Sequence, residues 1–287
     1  MTRAQAGYAD RSASAIGVFD SGVGGISVLR ALRDELPLEK FVYVADSGHA
    51  PYGERDDAHV ITRSHAITRY LLVQHRIKAL VVACNTATAA AIKLLRQDFP
   101  DLPIVGIEPA LKPAALSSKT KVIGVLATRG TLNSEKFRSL LASLHGQARF
   151  VLQPCDGLAD AIEHGDATKM IAICADSTGA MGQFGQEQAS MDTLVLGCTH
   201  YPFIADTLRN LVGDQVAFLE GGVPVARQTR RLLAQCNWLV QQIADATPDA
   251  HVAMPIQFFT TGDTENLQTA VNRWLELKVD VQSITIS

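Results

Sequence analysis

Two cysteines stand in matched surroundings. Cys84 closes the apolar run Val81-Val-Ala and is followed by Asn85-Thr86-Ala87-Thr88. Cys198 closes Val195-Leu-Gly and is followed by Thr199-His200. A thiol at the end of a buried strand, just ahead of a helix, meets backbone N–H groups and the positive end of the helix dipole. Both favour the thiolate and draw its pKa from about 8.5 toward neutrality. His200 could accept or share the Cys198 proton. Alone, each cysteine reads more readily as packing; the repeated Cys-polar-polar pattern points to function. Cys155, Cys174 and Cys236 lack such a context, and the last two read as helix-face packing. Five cysteines with irregular spacing and no CxxC pair do not form a disulfide framework.

A second group surrounds Asp20-Ser21-Gly22-Val23-Gly24-Gly25. Glycines after a strand let backbone approach a ligand, and helix N-terminal N–H groups hold an anion. The run is neither a Walker loop nor a GxGxxG fingerprint, and a plain tight turn would also explain it. Asp20 is the unusual member: a carboxylate beside an anion site suits a ligand that also carries an ammonium group. In Pro51-Tyr52-Gly53-Glu54-Arg55, Tyr52 can donate a hydrogen bond and Gly53 exposes its N–H, whereas Glu54 and Arg55 read as a solvated turn. The set suits a small zwitterion with thiols on either side of one carbon. No lysine sits where pyridoxal phosphate could anchor, and Cys198-x-His200 has no second half for a metal. Neither cofactor nor metal is expected, although a non-catalytic module using Cys84, Cys198 and His200 as ligands is the alternative of a different class.

Positioning these groups requires a regular scaffold. Short apolar runs alternate with segments of helical period throughout. Strands are expected at 16–19, 41–45, 80–83, 104–107, 122–127, 149–152, 194–197, 216–219, 257–260 and 279–286. Helices are expected at 25–36, 57–75, 86–99, 133–144, 167–184, 202–212, 223–235 and 263–274. This rhythm predicts an α/β fold: two similar domains with mainly parallel sheets flanked by helices, and the site at the carboxyl ends of strands in the cleft between them. Ile16-Gly-Val-Phe-Asp-Ser-Gly also echoes Ile123-Gly-Val-Leu-Ala-Thr-Arg-Gly, as duplicated halves would. The division is drawn as 1–107 plus 217–287 for the first domain and 108–216 for the second.

Over 287 residues, 47% hydrophobic and 19% charged residues with a net charge of −3 allow two ordinary cores and give no basic nucleic-acid surface. The start of the chain lacks an apolar signal-like stretch, and apolar runs reach only about six residues against the ~20 of a membrane span. A cytoplasmic protein with no nucleic-acid or membrane partner is expected, and a homodimer is left open.

Asp20-Ser-Gly-Val-Gly-Gly, Pro51-Tyr-Gly-Glu, Ala83-Cys-Asn-Thr-Ala-Thr, Gly106-Ile-Glu-Pro-Ala, Ala127-Thr-Arg-Gly-Thr131 and Gly197-Cys-Thr-His-Tyr-Pro together resemble the signature blocks of the glutamate racemase family, in order and spacing, over about 16–230. The resemblance implies cofactor-independent racemisation of L-glutamate to D-glutamate for peptidoglycan synthesis. Cys84 and Cys198 would be the acid/base pair, with Asp20 and His200 assisting. Asp20, Ser21, Pro51, Tyr52, Gly53, Asn85, Thr86, Thr128, Thr199 and His200 would bind substrate. Glu163 is carried over as catalytic from a Cys-x7-Glu-x-Gly stretch matched by Cys155, Glu163 and Gly165. An aspartate-specific relative would share this chemistry. Glu220-Gly221-Gly222 departs from the family's usual Asp followed by Ser or Pro. The N-terminal extension resembles the enterobacterial type, which responds to a cell-wall precursor, in length only. Some family members bind DNA gyrase, and nothing in these residues speaks to that.

Overall fold

The computed structural model describes residues 11–241 and 256–287. Residues 1–10 of the N-terminal extension therefore lie outside the described part. Ten strands form two parallel sheets among the described residues. The first holds β1 (Ile16–Asp20), β2 (Phe41–Ala45), β3 (Ala79–Val82), β4 (Ile104–Gly106), β9 (Ile256–Thr260) and β10 (Val281–Ser283), in the order β10-β9-β2-β1-β3-β4. The second holds β5 (Val122–Ala127), β6 (Arg149–Pro154), β7 (Thr193–Leu196) and β8 (Ala217–Leu219), in the order β6-β5-β7-β8. All ten lie where apolar runs place them. β1, β2, β3, β5 and β7 are buried along their whole length, as parallel strands covered on both faces must be.

The internal echo has a topological counterpart. The order β2-β1-β3-β4 repeats as β6-β5-β7-β8. β1 and β5 occupy equivalent central places, and each thiol follows the strand beside that centre. One boundary shifts: β8 pairs with β7 in register Thr193↔Ala217, so the chain leaves the second sheet after Leu219 rather than at 217. The returning turn passes the outgoing one closely. A Cβ on Gly221 would stand 2.6 Å from the Ile107 side chain, so this departure from the family pattern demands glycine.

Eleven α-helices cover the sheets among the described residues: α1 (Ile26–Glu35), α2 (Asp57–His75), α3 (Asn85–Asp98), α4 (Leu111–Ser117), α5 (Arg129–Asn133), α6 (Glu135–Ala142), α7 (Leu158–Glu163), α8 (Ala167–Met181), α9 (Ala205–Val212), α10 (Gly222–Gln235) and α11 (Thr264–Leu275). Three of these, α4, α5 and α7, have no counterpart in the periodicity. The helix expected over 133–144 is interrupted at Ser134, whose hydroxyl accepts from Phe137 N–H and starts α6 afresh. The helix expected from 202 begins as a 3-10 turn, Tyr201–Ile204, before α9. One apolar cluster packs α1, α10 and α11 on one face of the first sheet, and another packs α2 and α3 on the opposite face. Two more cover the faces of the second sheet. Among the described residues no helix is long and apolar enough to cross a membrane.

Candidate active site

The carboxyl ends of the two sheets face each other across a cleft of about 950 Å³. Ser21, Pro51, Tyr52, Gly53, Cys84, Asn85, Thr86, Thr128, Glu163, Cys198, Thr199 and His200 all line it. Asp20 does not: it is fully buried behind the lining, its Oδ2 accepting from Gly25 N–H at 2.6 Å and Thr199 Oγ1 at 3.4 Å. Cys84 and Cys198 are both buried, and each follows a strand of a different sheet.

Cys84 is the N-cap of α3. Its backbone is extended and its sulfur accepts from Ala87 N–H at 3.4 Å. The thiol donates in turn to Ser21 Oγ at 3.7 Å. That setting favours a thiolate, yet the expected drop in pKa does not occur. Burial, reinforced by the negative charge of Asp20, pushes the Cys84 thiol well above its ordinary value, outweighing the Ala87 and Ser21 hydrogen bonds. Helix N–H donors favour the thiolate, but the desolvation imposed at this buried strand end is the larger effect.

Cys198 has a different environment from the one its sequence context suggests. A 3-10 turn follows it, not an α-helix, so no extended helix dipole points at the sulfur. Its partner is His200, with Sγ 3.7 Å from Nδ1. On the other ring edge, His200 Nε2 lies 2.8 Å from Glu163 Oε2, and both residues are buried. Burial opposes a charged imidazole. The hydrogen bonds and charges of Cys198 and Glu163 outweigh it and hold His200 well above its ordinary pKa. For Glu163, burial alone would raise the carboxyl; hydrogen bonds from His200, Val23 N–H and Ser47 hold it below its ordinary value. The two directions agree on a charged pair. With both ring nitrogens protonated, His200 donates to Glu163 from one side and faces Cys198 with a donor on the other. Burial raises the Asp20 carboxyl; the His200 charge opposes that rise and the Glu163 charge adds to it.

Glu163 also joins the two halves. It ends α7 in the second half and accepts from Val23 N–H at 2.9 Å and Ser47 Oγ at 2.9 Å in the first. Ser27 Oγ donates to Thr199 O at 3.0 Å, and Thr86 and Thr128 hydroxyls lie 3.1 Å apart across the same seam. Thr128 caps α5, accepting from Thr131 N–H at 3.2 Å. Sequence reasoning missed Ser47: it lies in the polar stretch after β2 and carries no motif. Cys155 lines the cleft as well; its thiol donates to Gln153 O at 3.7 Å, and burial raises its pKa to about 11. Cys174 is likewise raised by burial to about 11 and packs in the core of the second half. The third remaining cysteine, Cys236, is exposed at the end of α10 rather than packed on a helix face. Glu54 and Arg55 are exposed, as a solvated turn requires.

Two parallel α/β layers thus meet over a shared cleft that receives buried thiols from both halves and a buried imidazole–carboxylate pair. The family model of the Asp/Glu/hydantoin racemases matches residues 26–230, and the chain belongs to that family. It is 47% identical over 265 residues to the glutamate racemase of Ectopseudomonas mendocina, covering 91% of this chain and 95% of the relative. It is 44% identical to that of Cupriavidus pinatubonensis, covering 94% and 95%. Among solved structures, glutamate racemase isoform RacE1 of Bacillus anthracis aligns with a TM-score of 0.80 at 29% identity, over 95% of this chain and 97% of that one. The Escherichia coli glutamate racemase, solved in complex with L-glutamate and the activator UDP-MurNAc-ala, aligns with a TM-score of 0.77 at 28% identity, over 96% and 98%.

Proposed function

We propose that this racemase inverts the α-carbon of glutamate without a cofactor, with Cys84 and Cys198 as the two bases, and that its D-glutamate serves peptidoglycan synthesis. The observation that carries the reading is the origin of Cys84 and Cys198, which line the cleft from opposite halves of the molecule at corresponding strand ends. Inversion needs a base on one face and an acid on the other, because a single base tends to return its proton to the face it came from. The division into 1–107 plus the returning chain, against the intervening second half, supplies those two faces.

The α-proton of an amino acid is weakly acidic, so enolate charge must be met by preorganised donors. Asn85 and Thr86, in the first turn of α3, and Thr199 beside Cys198 line the cleft and are the donors assigned to that role in this reading. His200, charged through Glu163, is the counter-ion for a Cys198 thiolate. Cys84, held protonated by burial and Asp20, is then the acid that delivers to the opposite face. In the reverse direction Cys84 is the base; a substrate ammonium entering beside it opposes the Asp20 field that now disfavours its thiolate. By resemblance, Cys198 faces the proton of L-glutamate and Cys84 that of D-glutamate.

The test is racemisation followed by circular dichroism with Cys84→Ser and Cys198→Ser. Each variant should lose net inversion while still binding glutamate. Near-normal turnover by either would overturn the two-base assignment. A panel of D- and L-amino acids with chiral detection separates glutamate from aspartate.

A further inference from the structure

The stretch between β2 and α2 carries Ser47, Pro51, Tyr52 and Gly53 into the cleft, yet consists of two short 3-10 turns and no regular element. Such a segment holds a ligand only if something fixes it. Asp46, at its start, is fully buried, and its two oxygens collect five donors. Tyr52 Oη donates at 2.5 Å, Arg63 Nε at 3.0 Å, Arg63 Nη2 at 2.9 Å and Thr261 Oγ1 at 2.9 Å, while His49 Nδ1 lies 3.2 Å away. Arg63, on α2 and itself buried, uses its remaining nitrogen Nη1 to donate to Ile286 O at 2.7 Å. A planar guanidinium therefore braces the stretch from behind and ties it to the last residues of the described chain.

We propose that Asp46 and Arg63 are positioning residues for substrate binding, acting through Tyr52 on the Pro51–Gly53 wall of the cleft. This rests on the glutamate reading above. The Tyr52 hydroxyl is taken up by Asp46, which is buried and does not line the cleft, so what the stretch offers the substrate is its backbone and ring face. The Ser47 end has contacts that do not pass through Arg63: Asp46 N–H donates to Asp20 O at 2.9 Å, and Gly48 N–H to Thr261 Oγ1 at 3.1 Å. Loosening Arg63 thus moves the Tyr52 end and leaves the Ser47–Glu163 contact in place. The effect belongs in KM more than in kcat.

The variants are Arg63→Lys, Tyr52→Phe and the double. A lysine keeps the charge, but its single nitrogen cannot replace three nitrogens serving Asp46 Oδ1, Asp46 Oδ2 and Ile286 O. Full deletion of the cation would leave a buried carboxylate unpaired and endanger the fold. Steady-state racemisation is measured well below each variant's Tm. Arg63→Lys should raise KM for glutamate about tenfold, the consequence of a displacement smaller than the ~1 Å that costs two orders of magnitude, with kcat changed by less than about threefold. Tyr52→Phe should do the same, and the double should be no worse than the more affected single, because both act through one link. An unchanged KM, a loss confined to kcat, or multiplying effects overturns the proposal. Should Arg63→Lys fail to fold, Tyr52→Phe decides alone, by a raised KM or an unchanged one. Wild-type protein that does not racemise glutamate refutes the functional reading instead, so the two failures are distinct.

Discussion

Glu163→Gln tests the electrostatics of the site without changing its shape. The carboxylate accepts from His200, Val23 N–H and Ser47 in a buried setting. An amide of the same size keeps at most part of this set and removes the charge that holds His200 protonated. A hydrogen bond to a charged group is worth about 1.5–3 kcal/mol, so the loss of transition-state stabilisation should be about 10- to 150-fold in kcat/KM. That loss must be equal from L- and D-glutamate, since the equilibrium constant of a racemisation is unity; kcat and KM can still split differently in the two directions. The assay is circular dichroism at fixed ionic strength across pH. In the wild type the raised His200 keeps its proton above the pH at which an ordinary imidazole loses it. In Glu163→Gln the alkaline limb assigned to His200 should move to lower pH.

Stability should follow with opposite windows for the two partners. Glu163, held below its ordinary value, stabilises the fold above that value, and the contribution is lost as pH falls through the folded pKa. His200, held above its ordinary value, contributes fully below that value and loses it as pH rises through the raised folded pKa. The wild-type Tm should therefore be highest between these limits, and Glu163→Gln should flatten that maximum. Unchanged kcat/KM with an unmoved alkaline limb would refute the charged-pair reasoning.

Two further outcomes follow from the same geometry. In deuterium oxide, early samples of either enantiomer should carry solvent deuterium in the product and almost none in recovered substrate; equal labelling of both would indicate one base exchanging with water, which mass spectrometry with chiral separation resolves. Gly24→Ala places a Cβ 2.3 Å from His200 Nδ1 and 2.7 Å from Thr199 Oγ1, so the variant should fold with a lowered Tm and lose about a hundredfold in kcat/KM; near-wild-type activity would show that the His200 position is not critical.

Much of this was legible in the residues because parallel strands leave a strong signal. β1, β3, β5 and β7 are apolar but for Asp20 at the end of β1 and Thr193 at the start of β7, and that pattern places Cys84 and Cys198 at corresponding strand ends. Helices of one or two turns are a different matter. α7 spans only Leu158–Glu163 and starts from Gly157 in the left-handed region, too short for a 3.6-residue period to register. Glu163, which it delivers, came only through resemblance. Ser47 and Asp46 were silent because their importance arises from partners 116 and 17 residues away, contacts no local pattern encodes. The Cys84 thiol was misjudged for a related reason: a cap is readable in sequence, but the burial that overrides it is a property of the packed fold.

The most direct measurement is a crystal structure of the protein with glutamate bound. The account predicts the Cys84 and Cys198 sulfurs on opposite faces of one α-carbon, each within about 4 Å of it, close to attack distance. Sulfurs on the same face, or either one remote from that carbon in a closed complex, would contradict it.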